Sequence, residues 1–199
     1  MSFDISLYIP KKSVPLITKW IKELDIYLQF VSPRKTKLGD FRFDFKNGYQ
    51  ISINNDLNQY STLITLTHEI AHAYVYSRYG ANIPAHGKKW KKMYKCLMLN
   101  FLNPKIFPNN ILATLSAHMI NPSASSSSDV NLVLSLREYD LKKSLTVNQI
   151  KLGDKFIYSG RLFIKHSHLR KRIKSIEVKT NKVYVFNPVT KVDLVDKKI

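Results

Sequence analysis

Three histidines and one glutamate lie close together in residues 68–90, which read HEIAHAYVYSRYGANIPAHGKKW. His68 and His72 are four residues apart, so on a helix both imidazoles lie on the same face and can bind one cation. A catalytic zinc ion usually takes three protein ligands and leaves the fourth position to water. The sequence therefore predicts a site for one zinc ion, which needs one further ligand.

The third ligand is sought downstream of this pair, where known arrangements use a histidine after a short glycine-containing spacer or an acidic residue. The short spacer requires glycine at position 75 and histidine at position 78, which are Val75 and Arg78. No Asp or Glu occurs in residues 73–128, so an acidic ligand from the same domain would have to come from upstream. We expect His86 to be the third ligand, brought back by a loop.

Glu69 follows the first ligand and projects about 100° around the helix from it. Its carboxylate can therefore face a water on the metal. Zinc lowers the pKa of such a water to about 7, and a neighbouring carboxylate can remove its proton and later deliver a proton to the leaving nitrogen. We predict peptide hydrolysis with Glu69 as the catalytic residue. Four tyrosines are candidates for stabilising the oxyanion, and the sequence does not distinguish among them: Tyr74, Tyr76, Tyr79 and Tyr94.

The elements that must position these residues are predicted from hydrophobic spacing and turn residues. Apolar residues at helical spacing predict a helix over residues 13–31, and alternation around Asn47-Gly48 predicts a β-hairpin over residues 41–54. Three more helices are predicted, one from Ser61 or Thr62 to Gly80, one from about His86-Gly87 onward, and a short one over residues 109–118.

A change in composition divides the chain. The segment NPSASSSSD is small and polar with nothing to bury, which indicates a linker, and four β-branched and aromatic segments beyond it indicate short strands. We predict a metalloprotease domain at residues 1–120, a Ser-rich linker at 121–130 and a basic β-rich module at 131–199. The expected fold class is α+β, with a compact zincin-like domain of helices and a small sheet before the β-rich module.

The charge of the chain points to a polyanionic partner. Lys and Arg number 32 against 14 Asp and Glu, which gives a formal net charge of +18. We expect DNA bound without sequence specificity; a positive surface that serves only solubility is the alternative. The candidate nucleic-acid contacts are Lys88, Lys89, Lys91, Lys92, Arg170, Lys171, Arg172 and Lys174.

The location of the protein is predicted from what the sequence lacks. Cys96 is the only cysteine, which excludes an intramolecular disulfide framework and a zinc ribbon of four cysteines. The first residues do not have the pattern of a signal peptide, and no run approaches the roughly 18 consecutive apolar residues of a membrane span. We expect a cytoplasmic monomer that does not bind membranes and could associate with the nucleoid.

These features together resemble the SprT-like zinc metalloprotease family of bacterial SprT and Spartan-like proteins. The resemblance covers about residues 14–99 and rests on LITKWIKELDIYL, the hairpin ending in ISIN, HEIAHAY, and AHGKKW, which is similar to the HGxxW/F element of the family. It implies that His68, His72 and His86 bind zinc and that Glu69 is catalytic. One departure is that many members carry a cysteine zinc ribbon after the protease domain, whereas the corresponding region here has no cysteine.

The resemblance also implies a class of substrate. Better-known members of the family digest proteins crosslinked to DNA, so we expect an endopeptidase acting on proteins bound or crosslinked to DNA. Two alternatives remain open from the sequence. One is a general cytosolic metallopeptidase without DNA coupling, and the other is a non-proteolytic, zinc-containing nucleic-acid-binding protein. A purely structural zinc site has no need of a base beside a ligand, so Glu69 favours an enzyme.

Overall fold

The computed structural model describes residues 4–34, 36–123, 129–141 and 144–195. The chain forms two compact units, Met1–Leu141 and Lys142–Ile199. Helices and two sheets occur in the described residues, which confirms the predicted α+β class. Within these same ranges, no helix has the length and apolar character needed to cross a membrane.

The first unit combines helices with a three-stranded sheet. Its helices are α1 (Val14–Glu23), α2 (Gln59–Tyr79), α3 (Lys88–Leu99), α4 (Asn109–Ile120) and α5 (Val130–Arg137). Its strands are β1 (Tyr27–Val31), β2 (Gly39–Asp44) and β3 (Gly48–Asn54). β3 lies in the centre, parallel to β1 and antiparallel to β2. β2 is therefore an edge strand, joined to β3 by the predicted hairpin turn.

The predicted first helix is wrong in its second half. α1 ends at Glu23, where the N–H of Asp25 donates to the carbonyl of Lys22 and the N–H of Ile26 donates to the carbonyl of Ile21. This pair of hydrogen bonds is a Schellman motif, and Asp25, with φ of 50°, occupies the left-handed position that is usually glycine. The apolar residues that follow belong to β1, where they pair with β3.

α2 carries two of the predicted ligands and begins at Gln59, earlier than the predicted start near Ser61. The side chain of Asn58 caps it by accepting hydrogen bonds from the N–H groups of Tyr60 and Ser61. The helix ends at Gly80, which has φ of 68°, as predicted. α2 packs against β2 and β3 as well as against α3, so apolar residues occur around most of its circumference.

α5 lies where no helix was predicted. Asp129, the last residue of the Ser-rich segment, caps it by accepting from the N–H of Leu132 at 3.2 Å. Leu132 and Leu136 are buried in the core of the first unit, and α5 packs against α4, the predicted helix of residues 109–118. The first unit therefore extends to Leu141, beyond the predicted boundary at 121–130. Residues 124–128 of that segment lie outside the described residues.

The second unit is a five-stranded antiparallel sheet with a core of its own. Its strands are β4 (Lys155–Tyr158), β5 (Arg161–His168), β6 (Ile173–Glu177), β7 (Val183–Phe186) and β8 (Asp193–Leu194). The order is β7-β6-β5-β4-β8, so the last strand returns to pair with the first. The core contains Val147, Ile150, Phe156, Phe163, Ile173, Phe186 and Val192. The cysteine-free module is thus held together by apolar side chains.

Two charged groups are buried in this module with partners. Lys165 is 2% exposed, and its Nζ donates to the carbonyls of Asn148 at 3.1 Å and Ile150 at 2.7 Å. Glu177 is 5% exposed and accepts from Nε of Arg161 at 2.6 Å. An unpaired charge in such a position is strongly destabilising. These hydrogen bonds give each of the two buried groups a partner.

Candidate active site

The three predicted ligands converge on one point. The Nε2 atoms are 3.2 Å apart for His68 and His72, 3.0 Å for His72 and His86, and 3.2 Å for His86 and His68. Each ring nitrogen has a single in-plane N–H or lone pair, so three such atoms cannot all hydrogen-bond to one another. Three nitrogens bound to tetrahedral zinc at about 2.0–2.1 Å are roughly 3.3–3.4 Å apart, so this triangle fits a zinc ion.

Two separate segments bring the ligands together. His68 and His72 lie on consecutive turns of α2, and His86 comes from the loop between α2 and α3. Gly80 ends α2, and the N–H of Gly87 donates to the carbonyl of Pro84 at 3.0 Å in a turn around His86. No other cluster of three or more His, Cys, Asp or Glu with this metal-binding geometry occurs in the described residues.

Trp90 forms the wall behind the three ligands. Its side chain is fully buried, and its ring centroid is 4.5 Å from that of His68, 5.3 Å from that of His72 and 4.7 Å from that of His86. Because one indole contacts all three imidazoles, the packing of α3 fixes their ring positions.

Burial keeps the histidines in the neutral form that binds a cation. It lowers the pKa of His68 to about 3 and that of His72 to about 4, and mutual repulsion with the neighbouring histidines contributes in the same direction. Burial also lowers the pKa of His86. Metal binding requires deprotonated imidazole nitrogens, so protons compete weakly for this site near neutral pH.

Glu69 lies beside the histidines without joining the group of metal-ligating atoms. It is 8% exposed, and burial raises the pKa of its carboxyl to about 8, with a further contribution from the charge of Asp40. The charges of Arg34 and Lys37 and a hydrogen bond from the backbone of Phe41 act in the opposite direction. The carboxyl group is therefore held in a dry environment next to the edge strand.

These groups line a cleft of about 460 Å³ between the edge strand and α2. The lining residues are Thr36, Lys37, Leu38, Gly39, Asp40, Phe41, Thr65, His68, Glu69, His72, Ala85 and His86. The wall formed by residues 36–41 was not predicted from the sequence, because it contains no metal-ligating pattern. The only local signal is that a glycine stands at the start of the alternating strand.

The four tyrosines considered for oxyanion stabilisation are absent from the described residues that line the cleft. The ring centroid of Tyr94, which is buried, lies 5.4 Å from that of His68, and its hydroxyl has no hydrogen-bond partner within the described residues. Tyr76 packs on Phe43 at 4.7 Å. Tyr79 is exposed, and Tyr74 is buried elsewhere in the core. Their positions are those of core and surface residues.

The candidate nucleic-acid contacts fall in two places. Lys88, Lys89, Lys91 and Lys92 lie in the first half of α3, whereas Arg170, Lys171, Arg172 and Lys174 belong to the hairpin that joins β5 and β6. Lys91 donates to Oδ1 of Asn121 at 2.7 Å, at the end of α4, so it has a structural partner. Nζ of Lys89 lies 3.7 Å from the ring centroid of Tyr79. At the hairpin tip, Arg170, Lys171 and Arg172 are exposed.

The site combines a helix that carries paired histidines, a glutamate between them that faces a cleft, and a third histidine beyond a loop. This combination defines a metallopeptidase-like site. Residues 24–109 match the SprT-like family model, which supports membership of the SprT-like family. The matched region contains His68, Glu69, His72 and His86. This family is generally associated with metallopeptidase activity and with zinc. No curated protein and no solved structure matches the chain.

Proposed function

We propose that the protein is a zinc-dependent endopeptidase in which His68, His72 and His86 hold the metal and Glu69 is the general base. The observation that carries this proposal is the convergence of three Nε2 atoms within 3.2 Å of one another, beside a buried carboxyl group in an open cleft. A structural zinc site usually has four protein ligands, whereas this cluster has three and faces the cleft.

Zinc, when bound, supplies a Lewis acid that polarises the scissile carbonyl and makes water a better nucleophile. Glu69, whose ionised form a bound cation would favour, accepts a proton from the attacking water on a carboxylate oxygen and then donates that proton to the leaving nitrogen. The three histidines would hold the metal through Nε2, and Trp90 would keep their rings in place. The walls of the cleft exclude bulk water from one side of Glu69.

An extended substrate would pair with β2, the edge strand that runs along the cleft. Gly39, Asp40 and Phe41 line the cleft, and pairing of a peptide with a free strand edge is a common recognition mode. Phe43→Pro removes one N–H from this strand, and we expect KM to rise more than it does for Phe43→Ala, which removes the ring alone. Equal effects of the two variants would argue against pairing through the backbone.

Proteins bound or crosslinked to DNA are the proposed substrates. The net charge of +18 and the exposed basic tip of the β5–β6 hairpin support binding to phosphates without sequence specificity. The alternatives are a general cytosolic metallopeptidase without DNA coupling and a non-proteolytic, zinc-containing nucleic-acid-binding protein.

The decisive experiment is cleavage of a basic protein by the zinc-loaded enzyme, with and without DNA at fixed salt, for wild type and Glu69→Gln. Cleavage that requires both DNA and Glu69 would support the full proposal. Equal, Glu69-dependent cleavage without DNA would favour the general metallopeptidase. If the fully metallated protein cleaves nothing, the non-proteolytic alternative is favoured.

The metal assignment has a test of its own. His86→Ala should reduce bound zinc and zinc affinity, because only two imidazoles remain. His166→Ala, which removes an exposed histidine of the second unit, is the matched control and should leave both quantities unchanged. Unchanged zinc binding by His86→Ala would show that the third ligand is another residue.

A further inference from the structure

Gly39, the first residue of β2, lies directly against Glu69. A Cβ atom at this position would be 2.7 Å from Oε1 and 2.9 Å from Cγ of Glu69, and 2.7 Å from Cγ2 of Thr65. Thr65 and Glu69 are one turn apart on α2, so the bare backbone of Gly39 fits between their side chains. Any side chain larger than hydrogen at position 39 would require atoms of Thr65, of Glu69 or of the β2 backbone to move.

The requirement for glycine at this position comes from space and not from backbone conformation. The φ angle of Gly39 lies outside the left-handed region, so other residues could adopt its backbone geometry. Gly48 and Gly80 show the opposite case, because each has a positive φ, and a Cβ atom added at either residue would have nothing within 4 Å in the part of the chain that the structure describes. Gly39 therefore marks a close approach between the edge strand and the helix.

The backbone beside Gly39 is anchored and cannot easily withdraw. Gly39 pairs with Ile53 of β3, and the carbonyl of Leu38 accepts from the N–H of Asn54 at 2.9 Å. Nδ2 of Asn54 also donates to the carbonyl of Lys37 at 3.0 Å. On the other side Thr65 is β-branched and 7% exposed, so its methyl group has little freedom. The carboxyl end of Glu69 is the atom group most able to move.

We propose that Gly39 is a positioning residue, whose lack of a side chain makes the space in which the Glu69 carboxyl group stands facing the cleft. The backbone of Phe41, two residues on, donates a hydrogen bond to the same carboxyl group. β2 thus holds Glu69 by close contact at one residue and by a hydrogen bond at another. The consequence for catalysis rests on the proposed peptidase function, whereas the contact itself does not.

Kinetics of Gly39→Ala test the catalytic consequence. A displacement of about 1 Å in a catalytic group can cost on the order of 100-fold in rate, so we expect kcat to fall by about that factor with KM and zinc stoichiometry little changed. Gly48→Ala is the matched control in the same hairpin, since it strains the backbone without meeting any neighbour. A kcat for Gly39→Ala equal to that of Gly48→Ala would overturn the proposal.

A thermal-unfolding cycle tests the contact without any need for activity. Gly39→Ala should lower the unfolding midpoint of the full chain, and the decrease should be smaller in a Glu69→Ala background, where Oε1 and Cγ are gone. If Gly39→Ala fails to fold, recovery of folding by Glu69→Ala gives the same support. Equal destabilisation in both backgrounds would disprove the contact, even if the wild type proves to be a peptidase. A wild type without peptidase activity would refute the proposed function alone.

Discussion

The indole ring of Trp90 lies 4.5 Å from the imidazole ring of His68 and 4.7 Å from that of His86, measured between ring centroids. Trp90 belongs to α3, whereas His68 belongs to α2 and His86 to the loop between them. A single buried side chain therefore fixes the relative positions of histidines from two segments. It does so through packing, since its Nε1 has no hydrogen-bond partner among the residues that the structure describes.

Trp90→Leu should weaken zinc binding although Trp90 provides no ligand atom. Loss of residues that orient metal ligands typically costs about 10–100-fold in metal affinity, and we expect an effect of this size in competition with a chromophoric chelator. Trp20→Leu is the matched control, because Trp20 is also buried in this core but contacts Phe101. Equal loss of affinity in both variants would mean that Trp90 acts only through general stability.

The clustering of the three histidines could be predicted from sequence because its geometry is mostly local. The four-residue spacing of His68 and His72 places both on one face of any helix, and a glycine stop followed by a short loop limits where His86 can lie. The position of Glu69 then follows from the helical repeat. Long-range packing was not needed for any of these steps.

The rest of the site depends on contacts between distant residues. Gly39 lies against Glu69 only because β2 is an edge strand folded over α2, and the glycine at the start of the strand does not by itself show which residue it faces. The end of α1 was also missed, because Asp25 takes the left-handed position that glycine usually marks. Charge alone could not show that Lys91 binds Asn121 at the end of α4.

Asn58 should contribute to stability in two separable ways. Its side-chain oxygen caps α2, and its Nδ2 donates to the carbonyl of Leu136 at 2.9 Å and to Oδ1 of Asp140 at 2.6 Å. Loss of such a cap lowers the free energy of unfolding by about 0.5–2 kcal/mol, and loss of the two Nδ2 hydrogen bonds lowers it further. We therefore expect Asn58→Ala to be less stable to urea than Asn58→Ser, which retains a capping oxygen. Wild-type stability in both variants would contradict this role.

The basic hairpin between β5 and β6 should contribute to DNA binding through phosphate contacts. Replacing Arg170, Lys171, Arg172 and Lys174 by Gln should weaken binding to duplex DNA similarly for all DNA sequences. The slope of the logarithm of the binding constant against the logarithm of the salt concentration should become shallower by about 0.9 per lost phosphate contact. Lys88→Gln and Lys92→Gln test the α3 surface in the same assay. Unchanged affinity of the hairpin variant would show that its charges serve only solubility.

Glu177 should make the second unit sensitive to acid. A hydrogen bond from Arg161 and a second one from Thr180 lower the pKa of its carboxyl to about 2. A carboxyl group with a depressed folded-state pKa stabilises the fold above its unfolded-state pKa, and this contribution is lost as the pH falls through the folded-state value. The loss should therefore occur between about pH 4.5 and pH 2. Amide hydrogen exchange in β5 and β6 over this pH range measures the loss of stability, and Glu177→Gln should remove most of its pH dependence.

Asp193→Asn, at an exposed residue of β8, is the control and should leave the pH dependence as in wild type. If wild type and Glu177→Gln lose protection in parallel, other carboxyl groups govern the acid response.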